Sequence, residues 1–221
     1  MSRNKQPPHR KDTNDARAQR RISPLLTAML PLVIIAGLSW LTHARNEMYA
    51  DALTLLDDAA RKSPGKGRVY YNRGTELYHE GRMDDAIADL QRAAELRPDH
   101  FRSHFNLGMA YVRSGRLDDA ERSFRTALDL KPRSVDVLLN LGSVYFLQNK
   151  LPQALQEYQE VLKAQPGNID ARMNLAKTYR KMGRRDDARR EFEMVLQAQP
   201  SNAEAAAELR GLGGTDRDSH R

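Results

Sequence analysis

His100 and His104 stand four residues apart, a spacing that sets two imidazoles on one face of a helix within reach of a common metal ion. His100 follows Pro98 in a loop and His104 opens a helix, with no third ligand in register, so a surface or packing role is expected rather than a metal site. Neighbouring carboxylates at Asp84 and Asp85, Asp118 and Asp119, and Asp186 and Asp187 have the composition of acid/base dyads. They recur in one register and begin helices, where their charge meets the helix dipole and their oxygens can cap free N–H groups. The chain has no cysteine, which removes thiol catalysis, Cys-ligated zinc and iron–sulfur clusters. No phosphate-binding glycine loop, Gly-x-Ser-x-Gly or His-Glu-x-x-His occurs. No enzyme activity, cofactor, metal or small-molecule substrate is therefore expected. The chemistry that remains is recognition, carried by a column of amides at Asn72, Asn106, Asn140 and Asn174, each 34 residues from the next. An amide offers both a donor and an acceptor, the two groups an extended peptide backbone presents at regular intervals.

The elements that must position this column repeat with it. Prolines at 64, 98, 132, 166 and 200 share the 34-residue interval. So do Gly74, Gly108, Gly142 and Ala176; Ala86, Ala120, Ala154 and Ala188; Tyr111, Tyr145 and Tyr179; and Leu90, Phe124, Tyr158 and Phe192. Each unit reads as two helices joined by a short turn. In the second unit apolar residues keep helical spacing from Phe105 to Val112, the chain breaks at Ser114-Gly115-Arg116, and a second helix runs from Asp118 to Leu130. Glycines 81, 115 and 183 supply the turn, replaced in the third unit by Asn149 with Pro152 in the first turn beyond it. A glycine facing an alanine, Gly108 against Ala120, lets two helices approach closely, with Tyr111 and Phe124 filling the space beside them. A composition of 40% hydrophobic and 29% charged residues suits such a solvated helical array better than a deep α/β core.

At these residues the chain resembles the tetratricopeptide repeat (TPR) family, whose unit is a 34-residue helix pair with small residues, an aromatic and a closing proline in these columns. The expected fold is an all-α solenoid of helical hairpins, with four units at 67–100, 101–134, 135–168 and 169–202. Arg73 stands where the family has leucine in the first unit, and Ala176 where it has glycine in the fourth. Stacked helix pairs curl so that the first helices line a groove. The resemblance implies that Asn72, Asn106, Asn140 and Asn174 line it and grip a peptide, although the column could also serve local helix packing. One position earlier, Tyr71, Phe105, Leu139 and Met173 are expected as its apolar floor, and Lys177, Arg180 and Lys181 make its C-terminal end basic, favouring an acidic ligand. Tyr71 and Thr75 occupy two columns where chaperone-binding TPRs carry a carboxylate clamp, so a C-terminal carboxylate is not the expected ligand.

Ahead of the array, residues 22–42 begin with twenty residues free of charge, enough for a helix of roughly 30 Å. One transmembrane helix is expected, with a cleaved signal peptide as the alternative. Seven Lys/Arg precede this stretch against two Asp, which orients the basic tail 1–21 to the cytoplasm and the array to the extracytoplasmic side of the cell membrane. Residues 43–66 read as a partial unit holding only the second helix, with Ala52, Leu56, Ala59 and Pro64 in register. Ser201 to Arg210 reads as a polar capping helix, whose end, 203–210, lies beyond the last unit, and 211–221 as a disordered tail. The junction His43-Ala-Arg-Asn-Glu-Met-Tyr with Lys62-Ser-Pro-Gly-Lys-Gly-Arg-Val-Tyr-Tyr-Asn-Arg-Gly is similar to the passage between the last membrane helix and the TPR array of polytopic O-mannosyltransferase-like proteins. The transferase activity is not carried over, since no acidic catalytic loop precedes it.

The net charge of +7 owes +5 to residues 1–21, and the repeat body 67–202 carries only +3. A mixed surface of that kind lacks the clustered basic stripe of a nucleic-acid binder, so nucleic acid is not an expected partner. The function expected from the sequence is that of a membrane-anchored adaptor or scaffold that binds a peptide segment or partner protein in its concave groove. The alternative is an accessory subunit of a membrane glycosyltransferase complex.

Overall fold

Glycine, asparagine and proline punctuate the array where the sequence places them, and the helices run between. The computed structural model describes residues 24–214, and among these the side chains of residues 34–43 and 52–212. The basic segment 1–21, the first two residues of the expected span and residues 215–221 lie outside the described residues. Helix α1 runs Pro24–Lys62. Four pairs follow: α2 (Gly67–His79) with α3 (Met83–Leu96), α4 (Phe101–Arg113) with α5 (Leu117–Leu130), α6 (Val135–Leu147) with α7 (Leu151–Ala164), and α8 (Ile169–Lys181) with α9 (Arg185–Ala198). Helix α10 (Ala203–Gly214) ends the series, and among the described residues there is no strand.

The chain divides into two compact units, 1–50 and 51–221. In the first, Ile34, Ile35, Leu38, Trp40 and Leu41 of α1 are each more than half exposed. The expected transmembrane helix, the membrane as a partner and the placement at the cell membrane with an extracytoplasmic array are overturned. Among the described residues no helix is long and apolar enough to cross a membrane. Helix α1 has the length, at 39 residues, but lacks sustained apolarity. Beyond His43 the same helix carries Arg45, Glu47, Asp51, Asp57 and Asp58. The boundary expected near residue 43 is absent because no glycine or proline lies between Gly37 and Pro64 to break the helix.

In the second unit each first helix packs on its own second helix. A Cβ added to Gly108 would stand 2.6 Å from Phe124 Cε1, and one on Gly142 2.6 Å from Tyr158 Cε1. The close approach the glycines permit is therefore filled by the aromatic column, while at Gly74 the backbone oxygen of Ala86 comes to 3.1 Å of such a Cβ. Phe124, Tyr158, Phe192 and Leu90 are all but fully buried, each contributing about 1.5–3 kcal/mol of apolar burial. Neighbouring units are joined by one bond used three times: Gln91 donates to the Tyr111 hydroxyl at 2.7 Å, Arg125 to Tyr145 at 3.1 Å and Gln159 to Tyr179 at 3.3 Å.

Turns and caps follow the pattern with one change of chemistry. Gly81, Gly115, Gly183 and Asn149 all take positive φ, between 62° and 83°. The paired aspartates do not cap backbone N–H groups, because an arginine holds each N-cap position and the carboxylates lie inside the helix. The second aspartate of each pair bonds arginine side chains instead, Asp85 to Arg82, Asp119 to Arg116 and Arg122, and Asp187 to Arg184 and Arg190, while Asp118 accepts from Gln148 at 2.8 Å. The hydrogen bond from Arg184 holds the Asp187 carboxyl below the usual carboxylate range. Side-chain caps come from amides that the sequence reading missed, Asn168 to Ala171 N and Asn202 to Ala205 N, both at 2.9 Å. Helix α10 also runs four residues beyond Arg210, because Leu212 is buried in the core.

Candidate functional site

Successive first helices touch one another, α2 with α4, α4 with α6 and α6 with α8, and no comparable contact joins successive second helices. The units therefore lean together on the first-helix side, which makes that face concave. The asparagine column lies along it, and its members differ. Asn72 is exposed. Asn106 donates from Nδ2 to the Thr75 hydroxyl at 3.2 Å and to the Tyr71 hydroxyl at 3.4 Å, reaching from α4 back to α2. Asn140 turns its Nδ2 back onto the Asp136 carbonyl of its own helix at 2.7 Å. Asn174 is half-buried and lines an opening.

The residues one position earlier point elsewhere. A step of about 100° around the helix carries them toward the core. Met173 is 6% exposed and belongs to the core, so it offers a ligand no surface. Tyr71, Phe105 and Leu139 are partly buried and pack against the same core. Phe105 stacks on Phe101 with ring centroids 6.1 Å apart and tilts onto Phe124 at 5.9 Å, whereas Tyr71 meets the edge of His100 at 4.9 Å. His100 also bonds Ser103 at 2.8 Å and His104 bonds the Pro98 carbonyl at 2.9 Å, so both imidazoles are engaged with the fold.

The basic end is partly neutralised from within the chain. Lys177 pairs with Glu204 at 2.6 Å and Arg180 with Glu208, both acids on α10. Glu208 stands 34 residues after Asn174 and so continues the asparagine column as a carboxylate, a continuation legible in the sequence that was missed. Lys181 lies over the Phe146 ring with Nζ 4.5 Å from its centroid and donates to the Phe146 carbonyl at 3.2 Å.

Two openings on the concave face were not foreseen. One, of about 150 Å³, is lined by Thr75, Tyr78, His79, Asn106 and Met109. The other, of about 160 Å³, is lined by Ser143, Phe146, Leu147, Tyr158, Asn174 and Lys177. Each holds about five times the roughly 30 Å³ a water molecule takes in the liquid, room for one large side chain. The missed signal was the column 78, 112, 146, 180, which holds Tyr, Val, Phe and Arg and lies on the open side of the helices, whereas the Tyr111, Tyr145, Tyr179 column faces inward.

Structures similar to this chain are repeat arrays of the same kind. The crystal structure of MamA matches with a TM-score of 0.68 at 21% identity, over 74% of this chain and 95% of that one. MamA from Desulfovibrio magneticus RS-1 matches with a TM-score of 0.67 at 19% identity, over 72% and 90% of the two chains. YrrB, described as a TPR protein with an unusual peptide-binding site, matches with a TM-score of 0.64 at 20% identity, over 73% and 84%. No curated protein matches the chain by sequence. The similarity of the junction to O-mannosyltransferase-like proteins finds no support in any of these matches. Three family models described as tetratricopeptide repeat match residues 65–133, 105–169 and 145–212, which together run unbroken over more than half of the sequence, and the chain belongs to the tetratricopeptide-repeat family.

Proposed function

We propose that the chain is a non-catalytic scaffold whose concave face holds an extended peptide segment of a partner protein. The observation that carries this reading is that two of the column asparagines, Asn106 and Asn174, stand in the walls of openings the size of a large side chain. A peptide laid along the first helices meets an amide once per unit, while its side chains enter the openings between units. YrrB, which shares the fold, is named for a peptide-binding site. Among the described residues no group of His, Asp and Glu is arranged to hold a metal ion, and in each acid pair that invited a catalytic reading the second aspartate is bonded to arginine.

A photo-crosslinking amino acid at Asn72 or Leu147, both exposed on the first helices, tests the reading against the same probe at Arg122 or Gln156, exposed on the second helices. The expected result is one contiguous segment of one partner attached from the first-helix sites and absent from the second-helix sites. Equal labelling from both faces, or labelling confined to the second helices, would place recognition elsewhere.

A further inference from the structure

The two openings are one site built twice. Thr75, Tyr78, His79, Asn106 and Met109 each stand 68 residues before Ser143, Phe146, Leu147, Asn174 and Lys177, two repeat lengths apart. In both, a small hydroxyl residue leaves the space and an aromatic forms its wall. A cation from the following unit then lies on that aromatic and donates to its carbonyl. Arg113 stands 4.6 Å from the Tyr78 centroid and bonds Tyr78 O at 2.9 Å, and Lys181 makes the matching contacts with Phe146 at 4.5 and 3.2 Å. The joint between α4 and α6 reverses each choice. Met109 stands in place of the hydroxyl, Val112 in place of the aromatic and Leu147 in place of the cation. There Asn140 turns to Asp136 O. The 34-residue array thus carries a groove chemistry with a 68-residue period.

We propose that the two openings form a paired anchor site for one extended acidic peptide bearing two large apolar side chains six residues apart. This rests on the groove reading above and adds the ligand's spacing and charge. Helices in contact lie about 8–10 Å apart, so two repeats separate the openings by roughly 16–20 Å. An extended chain rises about 3.3 Å per residue and alternates its side chains, so about six residues cover the distance with both anchors facing the same way. The charge of the occupant follows from the rims. No carboxylate lines either opening, Arg113 and Lys181 stand exposed beside them, and Lys177, which pairs with Glu204, lines the second. Acidic residues flanking the anchors complement those cations, while the tyrosine and phenylalanine walls take the apolar side chains. Two anchors on one chain make the second engagement intramolecular, which multiplies affinity without a new contact.

The test uses the full chain and fluorescein-labelled peptides of Asp, Gly and Ser carrying two phenylalanines two, four, six or eight residues apart, with one-phenylalanine peptides as controls. Binding by anisotropy is expected to be tightest at a separation of six, about tenfold or more above the single-anchor controls. Thr75→Met and Ser143→Met, which copy the filled joint at Met109, are each expected to reduce the two-anchor peptide to the single-anchor level. Arg113→Gln with Lys181→Gln, at exposed positions, is expected to weaken binding at low salt and flatten its salt dependence with helical content unchanged. Binding that ignores the separation, or survives both methionine variants, would overturn the paired site and leave the groove reading standing. Absence of binding by every peptide would overturn the paired site too, while crosslinking from Asn72 and Leu147 decides the groove reading separately.

Discussion

The Asn106 amide on α4 donates to the Thr75 hydroxyl on α2 at 3.2 Å, so the second asparagine of the column ties two units together as well as walling an opening. Asn140, bonded only to a carbonyl of its own helix, ties nothing. Asn106→Ala is therefore expected to lower stability by about 0.5–1.5 kcal/mol, the ordinary net worth of a neutral hydrogen bond, and Asn140→Ala by less than about 0.5. Urea unfolding of the two variants checks this. Equal losses would show that the column is uniform after all.

Arg73 makes the first unit unlike the others, which carry Leu107, Leu141 and Leu175 in its column. It grips Asp89 with two bonds, at 2.6 and 2.7 Å, and Asp57 of α1 with a third at 2.8 Å. Its guanidinium is held charged, chiefly by the bond to Asp89, which is itself buried. Arg73→Leu alone strands that carboxylate, a change that costs roughly 3–5 kcal/mol in a fully buried pair. The expected loss lies at or below the low end of that range because Arg73 keeps 22% of its side chain exposed. Adding Asp89→Ser, which reproduces the Leu107 and Ser123 of the second unit, is expected to restore most of the stability. A double variant no better than the single would show that the pair contributes more than mutual neutralisation.

How far the sequence discloses this molecule depends on whether a feature is periodic. The helix pairs, the turn at Asn149 and the all-α TPR solenoid were legible because each is written several times in one register. Gly108 was read against Ala120, yet its space is taken by Phe124, since spacing reports which residues share a face but not how far an aromatic reaches across it. The asparagine column was legible as a column and not as members in different surroundings, with Asn106 bonded to Thr75 and Tyr71 and Asn140 to Asp136. The basic end was counted without Glu204 and Glu208, whose helix had been assigned only to capping. The apolar stretch of α1 was read by length and charge within its own bounds, whereas the helix continues into polar sequence.

His100 links the loop before α4 to Tyr71, and its titration should be visible in stability. Burial pushes its imidazole below the ordinary value of 6.5, with Arg97, Arg102 and His104 adding to the effect and Asp99 opposing it. The unfolded chain then takes up the proton first as pH falls, so stability rises with pH across that window. The neutral form's full stability is present above about 6.5 and is lost as pH drops from there through the lowered value, levelling off below it. His100→Asn should remove that component, so unfolding at about pH 7 and about pH 5 should differ less in the variant than in the parent chain. Identical pH dependence in both would assign the acid sensitivity to other groups.

Glu204 and Glu208 offer a way to expose the basic end of the groove without removing its cap. Helix α10 is held by Ala205 and Leu212, both buried, and by Leu209 packed on the same core, so its docking does not depend on the two carboxylates. An exposed ion pair contributes about 0–1 kcal/mol, which fits Glu204 at 61% exposure, while Glu208 keeps 17%, so Glu204→Gln with Glu208→Gln is expected to lower the melting temperature only slightly. The substitutions free Lys177 and Arg180 from their partners and raise the local charge by two. If these cations border the bound segment, an acidic two-phenylalanine peptide should bind several-fold more tightly at low salt, and the gain should fade as added salt shortens the screening length to about 8 Å and below. Unaltered affinity with unaltered salt dependence would mean that α8 and α10 lie outside the ligand's path and that the bound segment ends before Lys177.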